Sequence, residues 1–342
     1  MTISPLLELF LVIKDLSLRA YYVLRPTLPQ ALRMAIRRFL AKRSLRLFAN
    51  SWPINQLAGM APGWWTGWPD GKKLAFTLTH DVEGQRGLDR CRQLAEMEMR
   101  LGFRSCFNFI PEGEYETPKS LRDFLVAHGF EVGLHDLRHD GKLYSSHQNF
   151  RELAHKINHY LAEWEAVGFR SGFMLHNLDW LRDLNVLYDA STFDTDPFEP
   201  QPDGVNTIFP FWVGRSDGSG YVELPYTLPQ DSTLFLLLRE STIGIWTQKL
   251  DWLAQRGGLA LVNTHPDYMS FNGTRRPEEY EAHLYQDFLE YVAKRYGQGS
   301  WFALPREVAA YVQPVKSRSL QMEIDSPSTT SGVASAITRP DN

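Results

Sequence analysis

The chain has 342 residues, of which 43% are hydrophobic and 22% charged. That composition suits a globular protein with a sizeable core, and it excludes collagen-like, coiled-coil and wholly disordered classes. The net charge of −4 hides an asymmetry: residues 1–50 carry +7, whereas residues 51–312 carry −11. A basic arm precedes an acidic body, and the body lacks the basic patch that nucleic acid requires. No apolar run approaches the roughly 20 residues that span a bilayer. The stretch from Leu6 to Ile13 is broken by Glu8, with no basic segment before it and no small-residue cleavage site after it. It is therefore not expected to be a signal peptide. Two cysteines, Cys91 and Cys106, are too few for a disulfide scaffold. Both fall in apolar-periodic segments and are expected to be buried reduced thiols, in keeping with a cytoplasmic location.

Residues 1–50 read as one or two amphipathic helices broken at Pro26 and Pro29. Leu32, Ile36, Phe39 and Leu40 recur at helical spacing beside Arg37, Arg38, Lys42 and Arg43. Such an arm either packs on the body or attaches to an anionic membrane surface. A Pro/Gly-rich linker, 51–73, carries Trp52, Trp64, Trp65 and Trp68. From residue 74 the patterns alternate. Strands are expected at Leu74–Thr79, Cys106–Ile110, Glu131–Leu134, Val222–Pro225, Leu259–Val262 and Trp301–Leu304. Helices are expected at Leu88–Leu101, Ser120–His128, Phe150–Val167, Ile243–Ala254, Glu278–Tyr296 and Arg306–Val312. Region 190–235, rich in Pro, Asp and Gly, interrupts the rhythm as a long loop or β-hairpin. Repeated βα units of this length call for parallel strands, most economically a barrel spanning 74–312. The tail, 313–342, is Ser/Thr-rich without periodicity and is expected to be disordered.

Three apolar strands each end in a polar cluster. Leu74–Thr79 runs into His80, Asp81, Val82 and Glu83. Glu131–Leu134 runs into His135 and, four residues on, His139. Leu259–Val262 runs into Asn263, Thr264, His265, Pro266 and Asp267. In a barrel of parallel strands these ends share one face, where catalytic groups converge. Two imidazoles four residues apart can reach one ion from a single turn, and a carboxylate from another strand completes a three-ligand set. Two His and one carboxylate suit Zn²⁺ or another divalent first-row ion such as Co or Ni, and leave a position for water.

These residues resemble the polysaccharide deacetylases, carbohydrate esterase family 4, with its NodB homology domain. Thr79-His80-Asp81-Val82-Glu83 is similar to that family's acidic motif, with the two acids one residue apart. His135-Asp-Leu-Arg-His139 is similar to its His-(Ser/Thr)-x-x-His motif. Gly168-Phe-Arg170-Ser-Gly172 resembles the Arg-x-Pro motif, Tyr188-Asp189-Ala-Ser-Thr192 the segment that often follows it, and Thr264-His265-Pro266 the last motif. The resemblance spans about residues 74–312. It implies a distorted (β/α) barrel of about seven parallel strands, here with an N-terminal helical extension. It also implies a metal-dependent hydrolase that removes N-acetyl groups from a glycan or glycan precursor. In that reading Glu83, His135 and His139 bind the metal, Asp81 is the base, Arg170 pairs with Asp81, and His265 is the general acid. Four positions depart from the pattern. Glu83 stands for an Asp, Asp136 for a Ser or Thr, and Asn263 for a Leu, while Arg170 lacks its Pro. The longer Glu83 leaves the reverse assignment open, with Asp81 as ligand and Glu83 as base. Hydrolysis of another C–N bond, such as a small cyclic amide, and a non-catalytic carbohydrate-binding role are the alternative readings. An N-acetylated carbohydrate is the expected partner, and the basic arm would hold the protein at the inner face of a membrane.

Overall fold

A computed structural model describes residues 30–273 and 275–313. The expected breaks at Pro26 and Pro29 and the tail beyond residue 313 lie outside the described residues. The arm contributes one helix, α1 (Gln30–Leu47). Ala41 and Ser44 are buried on its inner side, whereas Phe39 is 68% exposed, so the apolar stripe read from the sequence does not all face the body. Arg38 Nε donates to Leu236 O at 3.1 Å and ties α1 to a π-helical segment, Ser232–Leu238.

The body alternates strands and helices: β1 (Leu74–Val82), α2 (Gln85–Leu101), β2 (Cys106–Phe109), α3 (Lys119–Ala127), β3 (Glu131–His135), α4 (His147–Glu163), β4 (Gly168–Arg170) and β5 (Tyr188–Asp189). Next comes a hairpin, β6 (Phe211–Gly214) and β7 (Gly220–Glu223). It is followed by α5 (Gly244–Arg256), β8 (Leu259–Thr264), the short strands β9 (Met269–Ser270) and β10 (Tyr280–Glu281), α6 (His283–Tyr296) and β11 (Ser300–Phe302). A last helix occupies 305–313. Strands β8, β1, β2, β3, β4, β5 and β7 lie side by side and parallel. β6 is antiparallel on β7. β1 is the hub: β8 lines one edge, while β2 and β11 share the other, against its end and its start respectively. The sheet curls until the chain after β7 meets β8. There Thr227 N and Leu228 N both donate to Leu261 O at 3.2 Å. The result is the expected distorted (β/α) barrel with a helical extension.

Every residue of β1, β2, β3 and β8 is buried, as a parallel sheet covered on both faces requires. The largest apolar cluster lies between these strands and α2, α5 and α6, around Phe76, Leu94, Phe107, Trp246 and Phe288. The helix expected from Glu278 begins at His283, because Tyr280–Glu281 pairs with Met269–Ser270 instead. The 190–235 excursion does contain the β6–β7 hairpin. Among the described residues no helix is long and apolar enough to cross a membrane.

Candidate active site

The strand ends on one face of the barrel bring the expected residues together. Asp81 in β1 and Glu83 just past its end are two residues apart and turn to the same side, as extended geometry dictates. His80, between them, turns the other way and is fully buried. Its ring bridges Thr264 Oγ1 (2.7 Å) and Glu98 Oε1 (2.8 Å), and Glu98 also accepts from Ser105 Oγ and the Tyr285 hydroxyl. His80 is thus a knot between the sheet and the helical layer.

Glu83, His135 and His139 present one ligand atom each, all within 4.8 Å of one another. Glu83 is placed by its backbone: its N–H donates to Asp267 Oδ2 at 2.8 Å, and Asp267 Oδ1 accepts from Gly87 N at the start of α2. The Tyr268 hydroxyl donates to Glu83 Oε2 at 2.5 Å. Burial would raise the Glu83 carboxyl, but His265, His139 and the Tyr268 hydrogen bond outweigh it and hold it below the ordinary range. His135 Nδ1 lies 3.2 Å from Arg170 O. A carbonyl only accepts, so Nδ1 carries the hydrogen and the Nε2 lone pair faces the cluster. Burial lowers the His135 pKa, aided by His139 and opposed by Asp81 and Glu83, which favours the neutral ring that coordinates metal.

The His135–His139 spacing does not act through a helical turn. Asp136 (φ +57°) and His139 (φ +54°) are both left-handed, and the loop folds back on itself. Asp136 N donates to Arg170 O at 2.7 Å, and Leu137 N donates to Asp136 Oδ1 at 2.6 Å. The Phe173 ring stacks on His139 with centroids 4.4 Å apart. Gly172 permits this approach, since a Cβ there would stand 2.6 Å from Asp136 Oδ2 and 2.8 Å from His139 Cδ2.

The Nε2 atoms of His135 and His139 are both buried without a hydrogen-bond partner among the described residues. Such atoms are costly to bury unless something ligates them. Two orphaned imidazole nitrogens and a carboxylate therefore fit a divalent first-row cation.

Asp81 and His265 stand beside this cluster. Burial would raise the Asp81 carboxyl, but Arg170, His135, His265 and a hydrogen bond from Asn108 hold it well below the usual carboxylate range. His265 Nε2 lies 3.9 Å from Glu83 Oε1. Its Nδ1 bonds Asp231 Oδ1 at 2.7 Å, and its backbone N–H donates to Asp231 Oδ2 at 2.8 Å. Burial lowers the His265 pKa, but Asp231, Glu83 and Asp81 override it and push it up to about 10. Arg170 is fully buried, and its Nη1 sits 3.6 Å from Asp81 Oδ2.

Sequence reasoning missed Asp231 and Tyr268. Asp231 sits in the irregular 190–235 region with no strand end to flag it, and Tyr268 reads as one more aromatic. Asn108 carried a usable signal, being the lone polar residue in an otherwise apolar buried strand.

No protein-family model and no curated protein sequence matches the chain. Solved structures do share its fold. A polysaccharide deacetylase from Mycobacterium smegmatis is 17% identical, with a TM-score of 0.56 over 83% of this chain and 100% of that one. A polysaccharide deacetylase from Pseudomonas aeruginosa PAO1 is 15% identical, with a TM-score of 0.53 over 71% of this chain and 92% of that one. Puue Allantoinase is 15% identical, with a TM-score of 0.55 over 75% of this chain and 96% of that one. At these identities what is shared is the barrel itself.

Proposed function

We infer that the chain is a divergent member of the polysaccharide deacetylase family, a hydrolase that removes N-acetyl groups from a glycan or glycan precursor. The observation that carries this reading is the convergence of Glu83 and two orphaned imidazole nitrogens beside a buried carboxylate and a His–Asp pair. Glu83, His135 and His139 would hold a divalent ion, best Zn²⁺ from the donor set. When bound, that ion supplies Lewis acidity for the amide carbonyl and for water.

The protein's own groups move the protons. Asp81, held ionised, takes a proton from the attacking water as its oxygen bonds to the acetyl carbon. His265, cationic against Asp231, gives a proton to the sugar nitrogen as the C–N bond breaks, so acetate and a free amine leave. Glu83 touches both His139 and Tyr268, whereas Asp81 does not join the three-ligand cluster. That difference supports Glu83 as the ligand and Asp81 as the base.

The test is acetate release from N-acetylated oligosaccharides by metal-loaded protein, with Asp81→Asn and Glu83→Gln beside it. Asp81→Asn is expected to keep metal and lose turnover by several powers of ten, and Glu83→Gln to lose metal. The opposite pattern of metal loss would exchange the two roles. The shared fold with Puue Allantoinase favours one further reading, hydrolysis of a cyclic amide, and turnover of such an amide without acetate release would select it.

A further inference from the structure

The carboxylate of Asp81 is gripped from both sides. Asn108 Nδ2 donates to Oδ1 at 2.9 Å, and Asn263 Nδ2 donates to Oδ2 at 2.8 Å. The two asparagines come from β2 and β8, the strands on opposite edges of β1. All three side chains are buried. An ionised carboxylate only accepts, so each amide must face it through its NH₂.

The surroundings hold the amides in that orientation. Cys106 Sγ donates to Asn108 Oδ1 at 3.3 Å. Asn263 also reaches Gln230 Oε1 at 3.3 Å, and Gln230 in turn donates to Glu199 Oε1 at 2.6 Å. Gly133 leaves the space, for a Cβ there would stand 2.3 Å from Asn108 Oδ1. Arg170 contrasts with this grip. None of its three side-chain nitrogens makes a hydrogen bond among the described residues, and its distance of 3.6 Å from Asp81 is an ion-pair distance.

We propose that Asn108 and Asn263 are positioning residues that fix the rotamer and plane of the Asp81 carboxylate, while Arg170 supplies charge alone. This rests on reading Asp81 as the base. A carboxylate offers about four lone-pair sites. The two amides take one on each oxygen and stop the group turning, which leaves a defined site for water's proton. An apolar residue at 108 or 263 would leave a buried oxygen without a partner, and an aspartate free to rotate would aim its proton acceptor poorly.

Asn108→Leu and Asn263→Leu remove one donor each at similar volume. Each is expected to lower kcat for acetate release roughly 10- to 100-fold, the scale of an ångström of misplacement. KM should change by less than about threefold, and metal content should not change. Crystal structures of the variants should show the Asp81 carboxylate rotated or in two conformers. Added to Asp81→Asn, Asn263→Leu should cost less than about twofold more, since it acts through a group already disabled. The proposal is overturned if kcat stays near wild type with Asp81 unmoved, or if Asn263→Leu costs Asp81→Asn as much as it costs wild type. Should one variant not fold, the other, on the opposite edge of β1, decides. If the wild type releases no acetate while the variants still free the carboxylate, the deacetylase reading falls and the grip on Asp81 stands.

Discussion

Asp231→Asn separates the electrostatic work of the His–Asp pair from its geometry. The buried Asp231 carboxylate accepts four hydrogen bonds. Oδ1 takes His265 Nδ1 (2.7 Å) and Ser232 N (2.7 Å), and Oδ2 takes His265 N (2.8 Å) and the Tyr280 hydroxyl (3.0 Å). An asparagine has the same shape but only one acceptor oxygen. Whichever way the amide turns, its NH₂ faces a backbone N–H that cannot reverse, Ser232 N at one position and His265 N at the other, while the Tyr280 hydroxyl or a neutral His265 Nδ1 can accept. One buried donor is thus stranded, costing about 1–3 kcal/mol, and a charge-assisted bond to His265 worth about 1.5–3 kcal/mol is lost. The expected loss of stability is about 2.5–6 kcal/mol, read as a lower urea midpoint. His265 also loses the anion that keeps it protonated, so kcat for acetate release should fall about 10²- to 10⁴-fold with metal content unchanged. The assay pairs acetate release with metal analysis and denaturation, and runs His265→Ala alongside. If Asp231→Asn kept nearly full kcat while His265→Ala lost it, His265 would work without a buried anion behind it.

His135→Ala and His139→Ala should each abolish stoichiometric zinc binding by folded protein, measured by elemental analysis, because loss of one ligand of three removes several kcal/mol; retained metal would place the ion elsewhere. Burial pushes Glu131 up to about 7, against hydrogen bonds from Arg306 N and the Tyr188 hydroxyl. The folded state therefore holds this proton more tightly than the unfolded chain. The resulting stability is complete below about pH 4.5 and lost as pH rises through about 7, by at most about 3 kcal/mol. Glu131→Gln should flatten that fall, and urea midpoints at pH 5 and pH 8 check it; an unchanged pH dependence would remove Glu131 from the account. For the arm, Phe39 stands exposed on α1 with Lys42, Arg43 and Arg46. Full-length protein should bind anionic vesicles more strongly than neutral ones, with roughly 1 kcal/mol per basic residue near the surface. Flotation at low and high salt, with the three cations changed to Gln, tests this, and indifference to lipid charge would leave α1 a packed helix only.

The barrel and most of the site were legible because their signals are local. An apolar strand followed at once by acids or histidines marks both an element and the face its end occupies. Alternation along β1 placed Asp81 and Glu83 on one side and, by the same rule, sent His80 to the other. What escaped was long-range or irregular. β4 and β5 have three and two residues, too short to show a period. The His135–His139 loop depends on two left-handed residues, neither of them Gly, and on Gly172 from another element. Asp231 precedes a π-helical segment that no periodicity announces, and its partner His265 lies 34 residues further on. The pairing that the resemblance gave to Arg170 is present as charge at 3.6 Å, whereas the hydrogen bonds to the carboxylate come from the two amides.

The place of β1 at the hub of the sheet also sets when the site can exist during synthesis. Asn108 follows Asp81 by 27 residues, whereas Asn263 follows it by 182. Closing the longer loop costs about 1.7 kcal/mol more in chain entropy. A nascent chain that has released β1 through β7 still lacks β8, and with it one amide, His265 and the closure of the sheet. Asp81, Glu83 and both histidines of the candidate metal cluster have left the ribosome, yet the cluster of strand ends remains incomplete until β8 follows. A translation product truncated before Leu259 would carry most of the motif residues and no working centre.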